Sequence, residues 1–111
     1  MVSAPERGDL IWLSVTPQQG REQAGRWPAL VISPATYNSK TGLALVCPIT
    51  SQAKGYPFEV AVPDQGAVQG VVLTYQLRSL DWRARQAERI EKTPPDFVDQ
   101  AVKLIGTLLT S

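Results

Sequence analysis

The 111-residue chain contains no histidine and a single cysteine, Cys47. Without histidine the commonest general base and the commonest zinc ligand are both missing, and every Ser–His or Cys–His triad is excluded. One cysteine closes no internal disulfide, and with no histidine beside it a transition-metal site lacks donors. Cys47 lies between Val46 and Pro48 in an apolar run, which reads as a buried thiol in a reducing compartment. Charge of one sign is also missing: 11 Lys and Arg face 10 Asp and Glu, a net +1. Bulk charge therefore draws in no nucleic acid, and any such site must be a local patch. No stretch is long enough to span a bilayer, and residues 1–7 lack an apolar signal core. A cytoplasmic location, no membrane partner and no cofactor are the expectation. An enzyme built this way works with carboxylates, hydroxyls and cationic side chains.

What is present reads as a small fold, mainly β with α. Hydrophobic residues make up 43% and charged residues 19%, as in ordinary globular proteins. The length fits one domain, 1–111, of a size that often gains stability by pairing with a second copy. Apolar, β-branched runs predict strands at 10–15, 28–33, 43–49, 58–62 and 70–74. Pro48 suggests an edge or bulge near the end of the third. Residues 37–42 and 63–66 read as turns. Residues 75–85 are less defined, with 78–82 a candidate short strand. The last segment is a helix: Thr93 is placed to cap it, Pro94 fits its first turn and Asp96 suits the helix dipole. Val98, Ala101, Val102, Ile105 and Leu109 fall on one face of it. Short strands with one terminal helix make a small curled sheet or barrel.

Two polar loops carry the chemistry. The first, residues 20–28 (G-R-E-Q-A-G-R-W-P), enters an apolar strand. The second, residues 50–57 (T-S-Q-A-K-G-Y-P), separates two strands. Loops in such places usually hold function. Four arginines, Arg78, Arg83, Arg85 and Arg89, follow with only Asp81 and Glu88 against them. They form either a solvated edge or a phosphate-facing patch beside Trp82.

E-Q-A-G at 22–25 followed by Pro28, and P-I-T-S-Q-A-K-G-Y-P-F-E-V at 48–60, resemble the signatures of the MazF/PemK toxin family, and within it the MazF branch. G-D-L-I-W at 8–12, Y-N-x-K-T-G at 37–42 and Q-x-x-S-x-x-W-R-A-R at 76–85 keep the same order and spacing. Five motifs in register are far more specific than any one of them. The resemblance implies a small SH3-like curled barrel or sheet that acts as a homodimer. It implies a toxin of a type II toxin–antitoxin pair, a metal-independent endoribonuclease (mRNA interferase) that cuts single-stranded RNA sequence-specifically and so blocks translation. The products implied are a 2′,3′-cyclic phosphate and a 5′-hydroxyl. The partner implied is a small MazE-like antitoxin whose acidic tail lies over the RNA groove.

RNA brings its own nucleophile, the ribose 2′-hydroxyl. Cleavage then needs a base, an acid for the 5′-oxygen, and donors or cations around the phosphorane. With histidine missing a carboxylate is the natural base, and Glu22 holds the matching motif position. At an ordinary pKa of about 4.3 it is a weak base unless its site shifts it. Arg26 is assigned to the phosphate, and Thr50 to donating its hydroxyl there. The motif match further implies RNA contacts from Arg21, Ser51, Lys54, Tyr56, Gln76, Ser79, Trp82, Arg83 and Arg85, and by residue type Tyr56, Phe58 and Trp82 are candidates to stack on bases. Plainer readings stand beside these. Glu22 and Arg26 make a loop salt bridge, Thr50 bonds to backbone, Lys54 is a solvated charge, and Phe58 and Trp12 are core.

One position departs from the family pattern. Arginine is usual immediately before the proline, where this chain has Trp27, with Arg26 one residue earlier. Neighbouring side chains on an extended chain point to opposite sides. Either Arg26 reaches the same phosphate, for which Gly25 gives the backbone latitude, or Arg21 or another cation replaces it, or activity is reduced. Two other classes of function compete: a non-catalytic binder on the same general fold, as in CcdB-like gyrase poisons, and a catalytically weakened module that binds RNA or antitoxin.

Overall fold

A computed structural model describes residues 3–15, 25–63 and 66–110. In chain order these form β1 (Asp9–Ser14), β2 (Arg26–Val31), α1 (Ala35–Thr41), β3 (Leu43–Thr50), β4 (Glu59–Ala61), β5 (Val71–Leu73), β6 (Arg78–Asp81), β7 (Glu88–Lys92) and α2 (Pro95–Thr110), with a 3₁₀ turn at Thr74–Gln76. The seven strands make one antiparallel sheet in the order β4-β5-β3-β2-β1-β7, with β6 also on β3. Among the described residues β4 and β7 do not pair with each other, so the sheet is open, not a closed barrel.

The strands read as nearly continuous apolar runs because both faces of the sheet are covered. The pleat sorts them. Leu10, Leu30, Cys47 and Ile49 face α2, where they meet Phe97, Val98, Ala101 and Ile105. Ile11, Leu13, Ala29, Val31, Ala44 and Val46 point the other way, onto Trp82 and Ala87. A one-residue slip of any central strand would exchange these sets, so register is strongly specified.

β3 is the hub. Along one side it pairs with β2; along the other it pairs with β6 from Leu43 to Val46 and with β5 at Ile49 and Thr50. Between those two ladders the opposing chain bulges out as the 3₁₀ turn. Leu45 donates to Ser33 Oγ (2.8 Å) and accepts from the Ile32 amide (2.8 Å). Odd-numbered residues of β3 therefore turn their backbone polar groups to β2, and even-numbered ones turn theirs away. Pro48 thus aims its missing N–H at the interruption, which is how a central strand tolerates proline.

Three elements differ from expectation. Residues 37–42 are not a turn but most of α1, which Gly42 ends in the left-handed conformation (φ 74°) with its N–H on Asn38 O. Asn38 is fully buried and explains the helix: its Nδ2 donates to Pro5 O (2.8 Å) and Ser33 O (3.0 Å), and its carbonyl accepts from Trp82 Nε1 (2.9 Å). β7, with sequence E-R-I-E-K, is an edge strand whose charges mask its pattern. It is pinned by the fully buried Asp9, whose Oδ2 accepts from Arg89 Nε (3.0 Å) and the Glu6 amide (2.8 Å) while Oδ1 faces Lys92 Nζ at 3.1 Å. Thr93 does not cap α2: its hydroxyl donates to Gly8 O at 2.7 Å and, among the described residues, accepts from no helix amide. Pro94 O instead accepts the Phe97 amide, and Pro95 opens the helix, where a missing N–H costs nothing. Leu109, predicted on the packed face, is 76% exposed, so the apolar stripe ends a turn before the helix does.

Burial pushes the Cys47 thiol up from 9.0 to about 12. For Lys92, burial works to lower the pKa, but its bonds and attraction to Glu6 and Asp9 outweigh it and leave it raised. Both groups hold a proton more tightly in the folded chain than in the unfolded one. Their stabilisation is therefore complete below the unfolded values and is lost as pH rises. Urea titrations at intervals from pH 8 to 11 are expected to show stability falling above about pH 9, with Cys47 contributing at most about 1.4 kcal/mol per pH unit. Cys47→Ala should flatten the fall between pH 9 and 10.5, while the Lys92 part persists above it.

Candidate functional site

β1 ends at Ser14, β2 begins at Arg26 and β3 ends at Thr50, so all three reach the same end of the sheet. Arg21 and Glu22 fall in residues 16–24, outside the described residues, but the anchors of that loop are placed. The Val15 amide donates to Gly25 O, and Arg85 Nη1 donates to the carbonyls of Ser14 (3.4 Å) and Val15. The loop that carries Glu22 thus leaves and re-enters the sheet beside the end of β3.

Alternation then decides which side chains share a surface. The β2–β3 ladder stops at Ala29 opposite Pro48; its register carried two residues further would set Trp27 level with Thr50. Trp27, Ala29, Pro48 and Thr50 point to the face away from α2, as do Val46 and its partner Arg78. The guanidinium of Arg78 lies 5.5 Å from the centre of the Trp27 ring, and its Nη2 donates to Gln76 Oε1 at 3.2 Å. Trp27 is half-buried and Arg78 exposed.

The loop after β3 is shaped by backbone donors. Thr50 Oγ1 accepts from the Gln52 amide (3.1 Å). Among the described residues its own O–H donates to nothing, which leaves one donor for a ligand oxygen. Ser51 follows, exposed. The amides of Lys54 and Gly55 converge on the Glu59 carboxylate at 3.1–3.2 Å. This sets Tyr56 and Lys54 outward, with Lys54 Nζ 6.0 Å from the Tyr56 ring centre. Tyr75, from the 3₁₀ turn, meets Tyr56 with ring centres 6.0 Å apart and planes tilted 56°. Both rings are open to solvent, 49% and 39% exposed. Sequence reasoning passed over Tyr75; the only signal was an aromatic beside Gln76 in the last motif.

Other expected residues stand apart. Arg26 points to the α2 side of the sheet, opposite to Trp27, where it stacks on Trp12 (5.5 Å) and pairs with Glu88. Its side chain is only 17% exposed. Trp82 is a correction: at 1% exposure it is core and has no ring face left for a base. Arg83 lies over Trp82 at 4.9 Å, just past the β6 residue that pairs with Leu43, the first of β3. Seven residues of strand, about 23 Å, separate that level from Thr50. Ser79 pairs with Leu45 and faces away from Arg78. The four arginines are therefore no single patch: Arg78 sits on Trp27, Arg83 on Trp82, Arg85 on the β1 carbonyls and Arg89 on Asp9.

Thr50 ends β3 with Ser51 next to it, Gln76 and Arg78 meet on the flanking chain, and Lys54 and Tyr56 meet in the loop that follows, so hydroxyls, cations and exposed rings all flank this part of β3. Hydroxyls and cations suit a phosphodiester, and exposed rings suit unpaired bases.

Known proteins share this architecture. Residues 6–109 match the family described as PemK-like, MazF-like toxin of type II toxin–antitoxin system. The chain is 49% identical over 105 residues to the endoribonuclease toxin MazF of Escherichia coli K12, covering 95% of this chain and 94% of that protein. A crystal structure of MazF from Deinococcus radiodurans superposes with a TM-score of 0.85 at 53% identity, over 97% of this chain and 98% of that one. A MazE–MazF complex from the same organism gives 0.85 at 48% identity, over 96% of each chain.

Gly70 fixes the end of β3. It has φ +130°, and a Cβ placed there would sit 2.2 Å from the Thr50 carbonyl oxygen. The clash is with backbone, which cannot swing aside. Gly70→Ala is expected to cost at least about 1–3 kcal/mol of stability and to move the Thr50 and Ser51 amide resonances most, as read by denaturant titration and an amide NMR map.

Proposed function

The chain belongs to the PemK-like, MazF-like toxin family of type II toxin–antitoxin systems, and we propose that it is an endoribonuclease toxin that cuts single-stranded RNA at the open end of β3. The carrying observation is its likeness, over nearly its whole length, to a toxin named as an endoribonuclease. The placement of Thr50 and of the anchors Val15 and Gly25 supports chemistry at that end. Glu22, on the loop anchored by Val15 and Gly25, takes the proton from a ribose 2′-hydroxyl. The 2′-oxygen attacks phosphorus, the P–O5′ bond breaks, and the departing 5′-oxygen takes a proton from water. The products are a 2′,3′-cyclic phosphate and a 5′-hydroxyl.

The Thr50 hydroxyl donates to a non-bridging phosphate oxygen as charge grows there; one such donor is worth on the order of 10²–10³ in rate. Ser51 and Lys54 hold the neighbouring backbone, and Tyr56 and Tyr75 stack on bases, with Gln76 at the edge of the same surface. Arg21 contributes charge from the Glu22 loop. Arg26, committed to Glu88 and Trp12, secures the return of that loop into β2. The protein acts in the cytoplasm as a homodimer, and an acidic MazE-like antitoxin neutralises it by covering the same cationic end.

A long single-stranded transcript incubated with the purified protein and a metal chelator is expected to be cut, leaving cyclic-phosphate and 5′-hydroxyl ends. Glu22→Ala should slow cutting by about 10²–10⁴, the usual range for a general base, while RNA binding stays within threefold. Cuts that need added metal, 5′-phosphate ends, or a fully active Glu22→Ala would each refute the mechanism. An intact transcript would favour the non-catalytic binder.

A further inference from the structure

The ribonuclease reading leaves the phosphate without an assigned cation on the face where Thr50 lies, because Arg26 is turned away and ion-paired. We infer that Arg78, laid over the ring of Trp27, is the phosphate-holding cation of this site and that Trp27 is its positioning residue. The inference rests on that reading and adds the group that binds the reacting phosphodiester.

Three observations carry it. First, face: the registers β2–β3 and β3–β6 put Trp27 and Arg78 on the same side of β3 as Thr50. Second, reach: β6 and β2 flank β3, two strand spacings or about 10 Å apart, yet the Arg78 guanidinium lies 5.5 Å from the Trp27 ring centre. The two side chains therefore meet over β3, between the Val46 level and the Trp27 level that Thr50 shares. Third, availability: Arg78 is exposed, and among the described residues it makes no salt bridge and one side-chain hydrogen bond, to neutral Gln76. Arg26, Arg85 and Arg89 each have carboxylate or carbonyl partners instead.

The physical roles divide cleanly. A guanidinium offers five donors in a fixed fork, so the one bond to Gln76 leaves donors for two phosphate oxygens. Stacking on tryptophan restrains the long side chain before substrate arrives, which reduces the entropy lost on binding. The half-buried ring also keeps one side of the cation from water and strengthens its pull on the charge that grows on the phosphorane.

The test compares Arg78→Ala, Arg78→Lys, Trp27→Ala and the double variant Trp27→Arg/Arg78→Ala, with Lys103→Ala on α2 as the control cation. Cleavage is measured on a mixed-sequence transcript. Binding is measured by anisotropy on a pool of fully 2′-O-methylated 12-mers, which lack the nucleophile and stay intact. Arg78→Ala is expected to slow cleavage at least tenfold and to reduce the slope of log affinity against log salt by about 0.7, one phosphate contact on a single strand. Lys103→Ala should change neither. Arg78→Lys should keep the slope but recover only part of the rate, and Trp27→Ala should lower the rate more than it changes the slope. The double variant, which returns a guanidinium to the same face from β2, should regain most of the lost rate. An Arg78→Ala protein with wild-type rate and slope overturns the inference. So does a folded double variant no faster than Arg78→Ala. If the wild-type chain cuts nothing, the nuclease reading fails by itself, and the salt slope on the 12-mers still decides whether Arg78 meets phosphate.

Discussion

The sheet depends on β3, the strand that bonds to β2 along one side and to both β5 and β6 along the other. That double pairing fixes which residues face α2 and which face away. Alternation then does the rest: Ala44 and Val46 go to one core, Cys47 and Ile49 to the other, and Thr50 ends the strand on the face that α2 leaves open. The proline in the middle fits because the opposing chain steps aside there as a 3₁₀ turn. The same turn carries Thr74, whose hydroxyl binds Phe58 O at 2.6 Å, and Tyr75, which meets Tyr56. One interruption of one ladder thus relieves a strand proline and brings Tyr75 against Tyr56.

The same alternation separates Arg26 from Trp27. On a strand a shift of one residue reverses direction, and the two side chains end in different environments, one against Glu88 and Trp12, the other under Arg78. Among the described residues, the cation on the Trp27 side comes from β6, across the sheet. A nearly neutral protein can still bind a polyanion in this way, because what counts is which cations lack a carboxylate partner. Arg89, Lys92 and Arg26 are absorbed by Asp9, Glu6 and Glu88. Among the described residues Arg78, opposite Val46 on β3, and Lys54, in the loop after it, are not.

Much of the sheet was legible in the sequence because its strands are β-branched apolar runs between turn residues, and those signals are local. Two of the elements that differ from expectation, α1 and β7, owe their structure to distant partners. α1 is a polar heptapeptide held by the bonds of Asn38 to Pro5 and by Trp82 from the far side of the chain. β7 alternates charge because its ion pairs lie on β1 and the N-terminal segment. The site followed the same rule. The loops around Thr50 and Lys54 were visible as motifs, and Trp27 stood out as a departure. Arg78 was only one of four nearby arginines, since its stack on Trp27 joins residues 51 positions apart through β3. Trp82 was misjudged for the converse reason: an indole among arginines looks like a surface platform until its N–H is found on a buried carbonyl.

A crystal structure with a 2′-O-methylated RNA measures directly whether RNA lies against the Thr50 face with its phosphate under Arg78. The expected result is a phosphate within hydrogen-bonding distance of both the Thr50 hydroxyl and the Arg78 guanidinium, with a base against Tyr56. A phosphate bound instead on the α2 side, beside an Arg26 released from Glu88, would contradict it.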